Sequence, residues 1–146
     1  MKILKHAGIA LMVLFSFVFL SCEEDLASSL SVPERIAAFQ TGVNNESYST
    51  LYTNFHPDMS SYQQIKEPGY FSNSPLQNTP ITFGTPTVID GANADEKTFA
   101  GSMTDGNDIV YAYTGTMRTE SEGSDNWLIW ELITHDGEFI TRKLVD

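Results

Sequence analysis

Two short stretches of this 146-residue chain carry side chains that could take part in chemistry. His56 and Asp58 lie two residues apart around Pro57, a spacing at which a carboxylate can orient an imidazole for proton transfer. Cys22 follows a short apolar run and supplies the only thiol. The first pair predicts acid–base chemistry, and the cysteine predicts covalent modification.

The same polar residues also fit a structural interpretation, which we favour. Asp58 can end a helix with a turn bond while His56 stays exposed to solvent. Glu131 stands alone among apolar neighbours in a predicted strand, where it is either a buried acid or, as we expect, an acid facing solvent. His135 adjoins the Asp136-Gly137 turn and is expected to be solvated.

Composition excludes several classes of function. The net charge of −11 repels nucleic acid, so no nucleic-acid partner is expected. Few histidines accompany the lone cysteine, which argues against a zinc site. The Asp/Asn clusters at 90–96, 105–108 and 120–125 lack the pattern of a calcium loop and predict turns. No phosphate-binding glycine loop and no Gly-x-Ser-x-Gly motif occur, so we expect no cofactor and no metal.

The N-terminus has the layout of a secretory signal. Lys2 and Lys5 precede the apolar run Ile9–Leu20, which would span about 18 Å as a helix, short of the roughly 30 Å of a bilayer core. The tetrapeptide Phe19-Leu20-Ser21-Cys22 resembles a bacterial lipobox. That resemblance implies an exported protein of the bacterial cell envelope, held at the outer membrane by a lipid on Cys22. Both the periplasmic side and the cell-surface side of that membrane fit the resemblance.

Helices are predicted at the start of the globular part. Ser31 and Glu34 form a capping box, with Pro33 in the first turn. A first helix then ends near Asn44-Asn45. The second helix is predicted to continue to Phe55, and a third short piece to run over 62–67 with Tyr70-Phe71 packed beneath it.

From Thr79 onward the apolar residues alternate, which predicts strands. We expect one strand over 81–89, placed at an edge or bulged by Pro80 and Pro86. Further strands follow at 99–103, 109–117, 126–134 and, after the Asp136-Gly137 turn, 139–144. In the fourth predicted strand, over 126–134, strict alternation places the side chains on two faces. One face carries Trp127, Ile129 and Ile133, and the other carries Leu128, Trp130 and Leu132.

Helices followed by hairpin-linked strands predict an α+β fold, with helices on one face of an antiparallel sheet. The segments Leu51-Tyr52-x-x-Phe55-His56-Pro57-Asp58, Gly69-Tyr70-Phe71 and the closing Trp-rich hairpin resemble the nuclear-transport-factor-2-like, or ketosteroid-isomerase-like, superfamily. That resemblance covers residues 32–146 and implies helices packed in the concave face of a curved, cone-shaped sheet. Residues 1–21 would be the lipoprotein signal peptide and 22–31 an acidic tether.

Members of that superfamily use the cone for catalysis, binding or dimerisation. We therefore expect a candidate pocket lined by seven residues: His56, Asp58, Tyr62, Phe71, Tyr111, Tyr113 and Trp130. The prediction is a lipid-anchored binding or interaction module that takes a small apolar or aromatic ligand in the cone. No full catalytic set can be carried over, so an isomerase, dehydratase or hydrolase is the first alternative. A structural protein that forms a homodimer through its sheet is the second.

Overall fold

The computed structural model describes residues 29–65, 69, 75–136 and 141–146. The helical elements come first: α1 (Val32–Asn44), α2 (Tyr48–Tyr52), α3 (Tyr62–Ile65) and a 3-10 turn (Pro75–Gln77). The strands follow: β1 (Thr82–Phe83), β2 (Thr87–Asp90), β3 (Glu96–Thr104), β4 (Val110–Thr119), β5 (Trp127–His135) and β6 (Thr141–Val145). They form one curved, unclosed antiparallel sheet in the order β1-β3-β4-β5-β6, with β2 pairing the same edge of β3 as β1. The predicted α+β class is confirmed.

Helix α1 begins and ends where the sequence predicts. The Glu34 carboxylate accepts a hydrogen bond of 2.8 Å from the Ser31 backbone N–H and another from the Ser31 hydroxyl. Pro33 occupies the first turn, where its missing N–H leaves no intrahelical bond unmade. One stripe of the helix is buried against the sheet, with members three or four residues apart: Val32, Ile36, Phe39 and Val43.

Side-chain amides of α1 fix the helix to the edge strand β1. Asn44 donates to the Ile81 carbonyl at 2.9 Å and accepts from the Ile81 N–H at 2.7 Å. Gln40 accepts from the Phe83 N–H at 2.7 Å. These bonds satisfy the outward N–H and C=O of Ile81 and the outward N–H of Phe83, so α1 covers that part of the sheet edge.

Helix α2 is shorter than predicted, because Phe55 leaves the helix and joins the sheet. The Asn54 carbonyl accepts from the Ile129 N–H, and the His56 N–H donates to the Ile129 carbonyl, both at 2.9 Å. This parallel bridge between Phe55 and Ile129 can form because β6 pairs only Leu132–His135 of β5, which leaves the backbone of Ile129 available on that side. Backbone pairing at an edge therefore outweighs the helical spacing of the apolar residues.

The first predicted strand is divided in two at Gly84–Pro86, and its predicted edge position is confirmed. The strands over 99–103, 109–117 and 126–134 are confirmed as β3, β4 and β5. Strand β6 occupies the end of the predicted fifth strand, whereas 137–140 lie outside the described residues. Helix α3 is described to Ile65, and Tyr70 and Phe71 also lie outside the described residues.

A bulge in β5 changes which side chains face the core. Thr116 pairs with Glu131 and Met117 with Ile129, so Trp130 is an extra residue on β5. As a result Ile129 and Leu132 both join the buried core, although strict alternation predicts opposite faces for them. The predicted faces of Leu132 and Ile133 on this strand are therefore wrong.

Gly115 provides a test of how closely the sheet and its inner face pack. A Cβ at this position would meet the Phe99 ring and lie 2.6 Å from the Glu131 carbonyl oxygen on the neighbouring strand. We expect Gly115→Ala to lower the free energy of unfolding by about 1–3 kcal/mol, the usual effect of overpacking. Urea titration measures it, with Thr114→Ala on the exposed side of β4 as a control expected within about 0.5 kcal/mol of wild type. Equal stability of the two variants would contradict the packing described.

Candidate functional site

Aromatic side chains fill the inner face of the curved sheet. Phe39 and Phe55 pack edge to face at 5.7 Å between ring centroids, and Phe83 packs on Tyr113 at 5.0 Å. Tyr113 is 1 % exposed, donates to the Gly84 carbonyl at 3.2 Å, and has its pKa raised to about 12 by burial. Tyr113 is therefore a core residue whose hydroxyl is already used within the fold.

Tyr111 belongs to a hydrogen-bonded turn centred on Asp105. The buried Asp105 carboxylate accepts from the backbone N–H groups of Asn107 and Ile109, from the Asn78 amide and from the Tyr111 hydroxyl. Burial acts to raise the pKa of Asp105, but these hydrogen bonds outweigh it and hold that pKa below its ordinary value. Burial and the Asp105 charge raise the pKa of Tyr111. The arrangement ties the β3–β4 connection to the segment before β1.

His56 is buried, which corrects the expectation that it is exposed. Its Nε2 donates to the Thr119 carbonyl at 3.2 Å, because a carbonyl can only accept, and its Nδ1 accepts from the Asp58 N–H at 3.1 Å. The two contacts select the neutral ring with its proton on Nε2. Asp58 meets the ring through its backbone N–H, so this contact does not couple the carboxylate to the imidazole for proton transfer.

Trp130 packs edge to face against the His56 ring, at 5.1 Å between centroids. The Arg118 guanidinium lies 4.0 Å from the Trp130 ring centroid and also pairs with Glu96 at 3.1 Å. Trp130 is therefore half-buried under charged neighbours rather than an open apolar surface.

Tyr62 is a partly buried residue packed against the core, and Glu131 lies outside the core. Tyr62 stacks on Tyr52 at 4.2 Å between centroids. Burial raises the pKa of Tyr62 to about 12, and its contact with Tyr52 and the nearby charge of Glu120 act in the same direction. Glu131 is partly exposed and lies 3.7 Å from the Lys143 ammonium, in agreement with the predicted solvent-facing acid.

The predicted pocket residues are thus distributed over separate places. His56, the Asp58 backbone and Trp130 meet beside β5, whereas Tyr111 and Tyr113 serve the Asp105 turn and the core. Cys22 and Phe71 lie outside the described residues. The contacts of the described members thus divide them between β5, the Asp105 turn and the core.

A cleft of about 430 Å³ opens at the other end of the inner face, where α1 begins. The Lys97 ammonium lies 4.3 Å from the centre of the Trp127 ring and Asp125 stands at the rim. We call it the Trp127 cleft, and its lining consists of Ser29, Ser31, Val32, Pro33, Val88, Lys97, Asp125 and Trp127. The arrangement offers an aromatic surface, aliphatic walls and both signs of charge.

Arg35 holds the floor of this cleft in place. Its side chain is 3 % exposed and donates to the Trp127 carbonyl at 2.8 Å, to the Asn126 side chain at 2.8 Å and to the Asn54 side chain at 3.2 Å. Burial lowers the pKa of Arg35. Trp127 was predicted at the cone, whereas Lys97 was not predicted as part of a site. Lys97 lies two residues before the buried Phe99, which puts it on the same face of β3.

Comparisons of the chain with protein-family models, with curated proteins and with solved structures found no match. Among the described residues, no helix is long and apolar enough to span a membrane. Within the same residues, no group of three or more His, Cys, Asp or Glu side chains is arranged to hold a metal ion.

The Asp105 turn predicts a specific pH dependence of stability. Because the folded-state pKa of Asp105 is lowered, its contribution is present above the unfolded pKa of about 3.9 and is lost as the pH falls through the folded value. We expect Asp105→Asn to lower the free energy of unfolding by about 1–3 kcal/mol at pH 7, and by less at pH 3.

Urea titrations at the two pH values measure this difference. Asp108→Asn is the matched control, because it removes an exposed carboxylate from the same turn and asparagine tolerates the positive φ of 62° at this position. An Asp105→Asn effect that is equal at pH 7 and pH 3 would count against the assignment.

Proposed function

We propose that this protein is a lipid-anchored binding module of the bacterial cell envelope, attached at the outer membrane through Cys22. In this proposal residues 32–146 form a nuclear-transport-factor-2-like domain that binds ligand at the Trp127 cleft. The observation that carries the binding site is the open cleft of about 430 Å³ in which an aromatic ring, two valines and both signs of charge meet.

The filled interior favours binding over catalysis. A catalytic cone needs an acid or base that faces a ligand-sized space, but the Tyr113 hydroxyl and both His56 ring nitrogens are engaged by backbone groups. The Trp127 cleft instead offers contact area. An aromatic face under a lysine, with Val32 and Val88 beside it, suits a small apolar or aromatic group.

The cleft also lies where the globular part meets the preceding chain. Ser29 and Ser31 line it directly before and at the start of α1. A ligand bound there would contact Ser29 and Ser31, the last part of the proposed tether. The proposal therefore places ligand and anchor close together along the chain.

Binding at the cleft can be tested with the neutral apolar fluorophore N-phenyl-1-naphthylamine. We expect Trp127→Leu to weaken its binding by about tenfold or more, since the aromatic floor is lost. Trp130→Leu is the matched control, because Trp130 lies under Arg118 outside the cleft, and it should leave the affinity within about twofold. Circular dichroism checks that both variants are folded. Equal weakening by the two substitutions, or no binding to the wild-type protein, would refute the cleft as the site.

Attachment can be tested separately with Cys22→Ser. We expect this variant to lose the acylated N-terminus and to leave the membrane fraction, because serine cannot be lipidated in this manner. Ser21→Ala, which keeps a small residue before the cysteine, should remain in the membrane fraction. Mass spectrometry of both fractions provides the measurement, and unchanged membrane retention of Cys22→Ser would refute the anchor.

A further inference from the structure

The outer edge of the sheet is covered at β1 but open at β2. At β1, the N–H and C=O of Ile81 and the N–H of Phe83, which point away from β3, bond to Asn44 and Gln40 of α1. All four residues of β2 are exposed, and Ile89 is 62 % exposed. The same edge of β3 thus carries a protected strand and an unprotected one.

The register identifies the open backbone groups of β2. The Gly91 N–H donates to the Glu96 carbonyl at 2.9 Å, so this pair is a hydrogen-bonded one. Bonded and non-bonded pairs alternate in an antiparallel ladder, which makes Ile89↔Thr98 and Thr87↔Ala100 the next bonded pairs. The N–H and C=O groups of Val88 and Asp90 consequently point away from β3, and no bond to them is found in the described part of the chain.

The open edge adjoins the Trp127 cleft. Val88 pairs with the buried Phe99, so its side chain lies on the inner face, where it lines the cleft. A strand added to β2 would place every second side chain on this same face, next to the cleft. Such a site combines main-chain bonds for affinity with a pocket for selectivity.

The charges around this edge favour a cationic occupant. Asp90, Asp95 and Asp125 are exposed, and none of them has an ion pair or hydrogen-bonded side chain among the described residues. Of the two nearby cations, Arg118 pairs with Glu96, and Lys97 lies over Trp127 and opposite Asp90 in the register. With Glu96 counted, four carboxylates face two cations, so the edge keeps a net negative charge. A second copy of the chain is disfavoured as occupant, because both copies would carry a net charge of −11.

We propose that β2 takes up an extended, lysine- or arginine-rich segment of a partner protein as an additional strand, with a side chain of that segment in the Trp127 cleft. This strand addition names a class of partner for the proposed function. Only the part that places a side chain in the Trp127 cleft rests on the proposed function itself. The backbone of Val88 and Asp90 supplies the pairing, and the free carboxylates select the charge.

The probe is a fluorescently labelled copy of the peptide acetyl-Lys-Val-Lys-Val-Lys-Val-Lys-Val-amide. Its fluorescence anisotropy is followed as the purified full-length protein is added. We expect Val88→Pro to weaken binding by about tenfold or more, because proline removes the outward N–H while Thr87 and Ile89 keep their bonds to β3. Asp90→Asn should weaken binding several-fold, and Asp108→Asn, an equal charge change at the far end of β3, should not. The same peptide with glutamate for lysine should not bind.

Amide hydrogen exchange of the wild-type protein supplies a readout that needs no variant. Saturating peptide should slow exchange at Val88 and Asp90, with little change at Thr87 and Ile89, which already bond to β3. Unchanged exchange at Val88 and Asp90, or full peptide affinity in Val88→Pro, overturns the inference. If the peptide-free protein forms a dimer and Val88→Pro abolishes that dimer, the occupant of β2 is a second copy of the chain and the inference is overturned.

The outcomes distinguish this inference from the proposed function. Loss of fluorophore binding together with retained peptide protection at Val88 would refute the cleft and leave the strand addition standing. Fluorophore binding that depends on Trp127, without any peptide protection, would refute the strand addition alone.

Discussion

The buried guanidinium of Arg35 is the interaction on which the rest of this structure depends. It joins helix α1, the turn at Asn54 and the first residues of β5 through three hydrogen bonds. No carboxylate pairs with it in the described part of the chain, and its acceptors are a backbone carbonyl and two neutral amides. A desolvated cation is stabilised only where its donors are well satisfied, so these three oxygen atoms must be held together.

That constraint reaches both regions that could carry function. With Asn54 held beside the start of β5, the next residues pair with Ile129, which ends α2 early and carries His56 into a buried position against Trp130. The bond from Arg35 to the Trp127 carbonyl fixes the strand that forms the floor of the cleft. One side chain therefore links the segment that carries His56 to the strand that carries the aromatic floor of the cleft.

The sequence predicts well where the determining interactions are local. The Ser31 and Glu34 capping box, the alternation along β3 and β4 and the turn at 105–108 each depend on neighbours a few residues apart. Three features depend on distant partners and were missed: the early end of α2, the bulge at Trp130 and the Lys97 contact with Trp127. The run of apolar residues from Trp127 to Ile133 fits either phase of alternation, so only pairing with β4 decides which members face inward. Burial of His56 likewise follows from the long-range bond to Thr119.

The placement of Arg35 one turn into α1 has a mechanical consequence. A pull on the chain before Ser31 enters the domain at the first turn of this helix, and the guanidinium passes it directly to the backbone of Trp127 and to Asn126. The load thus arrives at the start of β5, before the part of that strand that β6 pairs, where β4 is its neighbouring strand. Strand β4 pairs with β5 from Thr119 opposite Trp127 onward, so the residue that receives the load belongs to that pairing from its first position.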